Sequence, residues 1–124
     1  MPTSPGFRGL RVYQLAFNLA MEIFHESKKL PPEEKYSLTD QIRRESRSVT
    51  SNIAEGYRKK QYPKSFVNKM SDADGEGAET QVWIDFTYAC GYISETLQTK
   101  WRDGYEEIGR LLGAMIAHPE RFAL

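Results

Sequence analysis

The spacing closest to a metal site in this chain is Glu22-Ile23-Phe24-His25, a Glu-x-x-His unit. Residues three apart share one side of a helix, and bundle di-iron sites use this unit because both ligands then enter one cavity. Such a site needs the unit twice, plus two further glutamates. The other histidine is His118, and Met115 stands three positions before it. The ligand set is incomplete, so no metal and no cofactor is expected. Nucleophilic chemistry is no better supported. Cys90 lies in an apolar run without a neighbouring cation to lower its pKa, which reads as an inert core thiol. The serines gather in Ser46-Arg47-Ser48-Val49-Thr50-Ser51, a composition suited to tight helix packing or to solvent, and neither histidine sits in a triad context. Glu33-Glu34 and Glu106-Glu107 are adjacent pairs, which point apart on a helix and cannot share a substrate. Nothing in this inventory makes the chain an enzyme.

Charge distribution carries more. Lys plus Arg is 17 and Asp plus Glu is 17, so the net charge is zero and binding driven by total charge is excluded. The two halves differ, however. Residues 1–62 hold 11 basic and 7 acidic side chains, and residues 63–124 hold 6 and 10. Arg43, Arg44 and Arg47 fall within about one helical turn, and Arg58, Lys59 and Lys60 close the same segment. These six are the candidate nucleic-acid contacts: they would grip phosphates without reading bases. The same charges would also serve to balance the acidic half, within or between subunits. Tyr57 and Tyr62 flank the basic end, where they could stack on bases.

These side chains need a scaffold, and the periodicity predicts one made of helices. Prolines at Pro31-Pro32, Pro63 and Pro119 punctuate the chain, since proline removes a backbone donor and clashes with the preceding turn. Between them lie four helices at about 8–30, 37–60, 63–93 and 94–117. The first stripe is Val12, Ala16, Leu19, Ile23. The second is Leu38, Ile42, Val49, Ile53, with Ser46 and Gly56 between, and with Ser37 as its cap. Pro63 suits the first turn of the third helix, whose stripe is Phe66, Met70, Ala73, Gly77, Ile84, Tyr88, Gly91. The fourth follows Leu97, Trp101, Gly104, Ile108, Leu111, Met115, capped by Ser94. No alternating strand pattern with hairpin chemistry appears. The expected fold is all-α, an up-down-up-down four-helix bundle forming a single domain over 1–124. Asp72-Ala73-Asp74-Gly75-Glu76-Gly77 places two glycines inside a helix, either as a kink or as a close approach to a neighbouring backbone.

The third helix has a surplus. Val82, Phe86, Ala89 and Ile93 form a second apolar stripe nearly opposite the first, with Trp83 beside it. A bundle monomer covers one side of each helix, so Val82, Trp83, Phe86, Ala89 and Ile93 are the expected oligomer interface.

At 124 residues and 14.3 kDa, with 40% hydrophobic residues, the chain can build its own core. One cysteine permits no intramolecular disulfide and fits a reducing compartment. The mean hydropathy is −0.61, and no stretch resembles a signal peptide or a membrane span, so a cytoplasmic location is expected.

Val12-Tyr13-Gln14-Leu15-Ala16, Leu38-Thr39-Asp40-Gln41-Ile42-Arg43-Arg44 and Asn52-Ile53-Ala54-Glu55-Gly56, followed by Glu79-Thr80-Gln81 and Gly91-Tyr92-Ile93, resemble one bacterial family of four-helix bundles. It is named for proteins encoded in intervening sequences of 23S ribosomal RNA genes. The resemblance runs from about residue 8 to 117. It implies a small cytosolic bundle that often assembles as a ring-shaped pentamer, and it implies no enzymatic activity, the biochemical role of most members not being established. The accessory protein of diversity-generating retroelements, which works with a reverse transcriptase and nucleic acid, is a relative. The combined expectation is a non-catalytic, oligomeric binding module whose basic second helix associates with RNA or ribonucleoprotein. The alternative is a protein-binding scaffold without a nucleic-acid role.

Overall fold

Four stripes of apolar residues need one another's cover, and in the computed structural model, which describes residues 4–122, they find it around a single core. Helix α1 spans Arg11–Ser27, α2 Asp40–Arg58, α3 Pro63–Ala89 and α4 Glu95–Ala117, and no strand occurs among the described residues. Packing contacts join α1 to α2, α2 to α3, α3 to α4 and α4 back to α1. The helices therefore stand in chain order at the corners of a square. Each short connection reverses direction, giving the up-down-up-down bundle that the periodicity predicts.

Val12, Ala16, Leu19 and Ile23 of α1 are buried, and so is the whole second stripe from Leu38 to Gly56. Ile53, Phe66 and Trp101 are among the largest fully buried side chains. Each contributes about 1.5–3 kcal/mol by leaving water. The α2–α3 contact is close because Gly56 lacks a side chain: a Cβ there would lie 2.8 Å from Met70 Cε and 3.1 Å from Lys69 Cβ.

The structure corrects several local expectations. The α4 seam is Gln98, Trp101, Tyr105, Ile108, Leu112, Met115, so Leu97, Gly104 and Leu111 flank the core rather than form it. In α3, Thr80 and Thr87 take buried places, while Tyr88 is 39% exposed. These threonines are tolerated because their hydroxyls donate to the carbonyls one turn back, on Glu76 at 2.8 Å and Trp83 at 2.7 Å. The glycine pair makes no break, since α3 is continuous through Gly75 and Gly77. Gly77 is buried, with room for ordinary contact against Tyr105.

Helix α3 ends at Ala89, not near residue 93. Gly91 adopts φ +81°, where a side chain would be strained. Its N–H donates to Tyr88 O, and the Tyr92 N–H to Thr87 O, which is a Schellman termination. Ile93 thus leaves the outward stripe and packs in the turn against the core, beside Ile23, Leu30, Ile42 and Trp101. Cys90 is exposed rather than a core thiol. Ser94 caps α4 as expected, accepting from the Leu97 N–H at 3.1 Å. Ser37 does not cap α2. It lies in a π turn, Lys35–Thr39, that feeds directly into the helix, and its hydroxyl bonds back to Glu34.

Candidate nucleic-acid interface

Basic residues one turn apart on α2 can open on the same space only if the intervening small side chains leave room. Ser48 and Ser51 do so. Together with Asp40, Arg43, Arg44 and Arg47 they line an open concavity of about 560 Å³ on the outer side of α2. Each arginine is held differently. The Arg43 Nε donates to Ser27 Oγ at 2.7 Å, and Ser27 in turn donates to Phe24 O at 2.8 Å. Arg44 pairs with Asp40 at 3.2 Å, an exposed i,i+4 bridge. Arg47 is exposed, and its guanidinium lies 5.5 Å from the centre of the Phe24 ring. The same ring receives Arg43 at 4.9 Å and the Lys28 ammonium at 4.7 Å. One phenylalanine near the C-terminal end of α1 thus gathers three cations, by ring quadrupole and helix dipole together.

The other predicted contacts stand apart. Fifteen positions of helical rise separate Arg43 from Arg58, about 22 Å. There Arg58 lies 5.7 Å from the Phe7 ring, which Arg8 also covers at 4.6 Å. The Lys60 ammonium sits over the Tyr57 ring and donates to its hydroxyl at 3.1 Å. Lys59 is exposed, as is Tyr62. The six residues form two groups, and the structure brings only Arg43, Arg44 and Arg47 into one site.

Between the two groups runs a feature that the periodicity did not reveal. An apolar groove of about 360 Å³ separates α1 from α2, with Phe7, Tyr13, Phe17 and Met21 on one wall and Thr50, Ser51 and Ala54 on the other. Arg8 and Arg47 rim it, and Phe17 and Met21 remain 47% and 40% exposed. Phe17 and Met21 lie just beside the buried stripe of α1, at positions a pattern search assigns to its margin.

The opposite side of α2 has the opposite character. Glu45, Glu76 and Glu79 bring carboxylate oxygens within 4.8 Å of one another. Hydrogen bonding with Glu76 first, then burial, then Glu79 and the repulsion of both neighbours push Glu45 up to about 8. At neutral pH this trio holds a proton. It is a hard-oxygen set that a cation could draw together, assembled from two helices and therefore invisible in either segment alone. Farther along lies a depression of about 450 Å³ lined by Glu34, Tyr36, Leu38, Gln41, Trp83, Phe86 and Cys90. Val82 and Phe86 are 49% and 53% exposed, and Ala89 is exposed. Trp83 is half-buried against the core.

Glu22 and His25 do not meet. Glu22 accepts from the Lys100 ammonium at 2.7 Å, and His25 lies edge-on to Phe24. No helix is long and apolar enough to cross a membrane among the described residues.

Comparison with known proteins fits this fold. None of the curated proteins matches the chain. A crystal structure of a protein of unknown function from the S23 ribosomal protein family of Bacteroides thetaiotaomicron is similar, with 28% identity and a TM-score of 0.77. The match covers 85% of this chain and 97% of that one. The family described as 23S rRNA-intervening sequence protein matches residues 8–114, nearly the whole bundle. The chain belongs to that family.

Proposed function

We propose that this protein is a non-catalytic, oligomeric binding module that holds RNA, free or within a ribonucleoprotein, by its phosphates. The observation that carries the reading is the α2 concavity, where Arg43, Arg44 and Arg47 share one opening with two serine hydroxyls. Asp40 is the one carboxylate lining it among the described residues, and Arg44 engages it. Arginine forks and hydroxyl donors suit phosphate oxygens, and phosphate contacts position a strand without selecting its sequence. The similar structure is assigned by its description to a ribosomal protein family, which is in keeping with RNA as the partner class. Repetition around an oligomer raises the affinity of a three-arginine site through effective concentration.

Fluorescence anisotropy of a labelled structured RNA tests this. With about three phosphate contacts per site, affinity should fall about 20–40-fold between 50 and 200 mM salt. Reversing Arg43, Arg44 and Arg47 to glutamate should abolish binding. No binding at low salt, or binding indifferent to salt, defeats the reading. A protein-binding scaffold is the second reading, favoured by the exposed Phe17 and Met21. It predicts a co-purifying protein that survives nuclease treatment.

A further inference from the structure

The cleft between α1 and α2 is basic at both ends and aromatic between them. Phe24 holds Arg43 and Arg47 at one end, and Phe7 holds Arg8 and Arg58 at the other. The groove of about 360 Å³ lies between, and its wall on the α1 side is a run of rings. Phe7 meets Tyr13 edge to face with 5.1 Å between ring centres, and Tyr13 stacks on Phe17 at 6.1 Å and 27°. Phe17 closes the run with its ring exposed, and Met21 stands exposed one turn further on. The groove is continuous with the arginine concavity, because Arg47 and Ser51 line both.

An occupant has to suit both characters. Arg8 and Arg47 at the rim, with no carboxylate in the lining among the described residues, favour an anion. The ring faces favour a flat, unsaturated group. A nucleotide joins the two, since its planar base is tethered to its own phosphate. In a duplex both faces of a base are covered by its neighbours, so only an unpaired base can enter. Building on the phosphate-binding reading, we propose that the α1–α2 groove is a base-stacking subsite. It takes an unpaired base of single-stranded RNA against Phe17 while the adjoining phosphate lies on Arg47, so the module holds unpaired strands in preference to duplex. Ser51 Oγ donates to Ser48 O at 3.2 Å and keeps its lone pairs free to accept from a base N–H. Every base offers a π face and an N–H, so the subsite selects the state of the strand and not its sequence.

Fluorescence anisotropy of the full chain with three end-labelled RNA probes provides the test: an unpaired strand, the same strand with abasic positions, and a duplex. The abasic strand keeps every phosphate and lacks the bases, so the wild type should bind it about tenfold more weakly than the intact strand. Phe17→Leu keeps an apolar side chain and removes the π face. It should weaken binding of the unpaired strand about tenfold, with the slope of log affinity on log salt unchanged and duplex binding unaltered. Phe17→Trp should restore the affinity. Far-UV circular dichroism checks that each variant folds, and the abasic comparison, which alters the RNA alone, decides the matter if one does not. Equal affinity for the intact and abasic strands overturns the proposal. So does Phe17→Leu that binds the unpaired strand like the wild type, which leaves the groove to a protein partner. Phe17→Leu that weakens strand and duplex alike also overturns it, since a groove serving subunit contact would act on both. In these cases the phosphate site stands if the Arg43, Arg44 and Arg47 reversal abolishes binding of all three probes. No binding of any probe at low salt, or binding indifferent to salt, is the distinct failure of the phosphate reading, and the subsite falls with it.

Discussion

Helix α2 has two flanks that solve the problem of surface charge in different ways. Toward α1, three cations gather around Phe24, and Arg8 and Arg58 share Phe7. Toward α3, three carboxylates crowd one another. A cation can spread over an aromatic ring and keep its charge. A carboxylate has no such partner there, so the acidic flank relieves repulsion by retaining a proton on Glu45. The basic flank is thus preorganised for an anion, whereas the acidic flank is under tension that an incoming cation would release. Both flanks carry apolar residues that a monomer leaves in water.

The sharpest way to break this comparison is the reversal of Arg43, Arg44 and Arg47, with an expected loss of more than about 100-fold in RNA affinity at low salt by anisotropy. The same change at Arg58, Lys59 and Lys60 should cost about tenfold or less, because those side chains stand some 22 Å away and do not share the concavity. Next comes the contact that holds the flanks on one scaffold. Gly56→Ala forces Met70 and Lys69 away at an overpacking cost of about 1–3 kcal/mol, offset by about 1 kcal/mol of helix propensity, and should destabilise the fold by up to about 2 kcal/mol, read from a denaturant midpoint.

The acidic flank can be sharpened by pH. A folded-state pKa raised to about 8 means that the folded protein binds a proton that the unfolded chain releases above its ordinary value near 4.5. The trio's contribution to stability is therefore greatest below that value and is lost as pH rises through 8. Glu45→Gln should be close to neutral at pH 5 and stabilising by about 1 kcal/mol at pH 9, after allowance for solvent screening, in thermal melts at both values. The smallest effect belongs to Asp40→Asn. Removing the carboxylate that occupies Arg44 should strengthen RNA binding about two- to fivefold, with folding unchanged.

Much of this architecture was legible in residue order. The α1 and α2 stripes appear at the predicted positions because each follows helical spacing with no polar competitor. The α4 seam differs by one position at three places: Leu97 looks more apolar than Gln98, although Gln98 is buried and donates to Asp85 at 3.2 Å, while Leu111 and Leu112 are equally apolar and either fits helical spacing. The end of α3 was missed because Tyr92 and Ile93 extend an apolar run, yet Gly91 alone signals the left-handed turn. Of the site, the arginines were visible as a cluster. Their aromatic supports were not, because Phe24 and Phe7 lie on other segments. The glutamate trio was hidden for the same reason: Glu45 meets Glu76 and Glu79 only through the packing of α2 on α3.

The square order of the helices has a bearing on what a ligand would encounter. Because α2 stands at the corner between α1 and α3, its arginine-lined concavity and the Glu45–Glu76–Glu79 trio open on different sides of one helix. A polyanion would be drawn in from one side and turned away from the other, and the neutral total composition of the chain gives no hint of that orienting field at a distance.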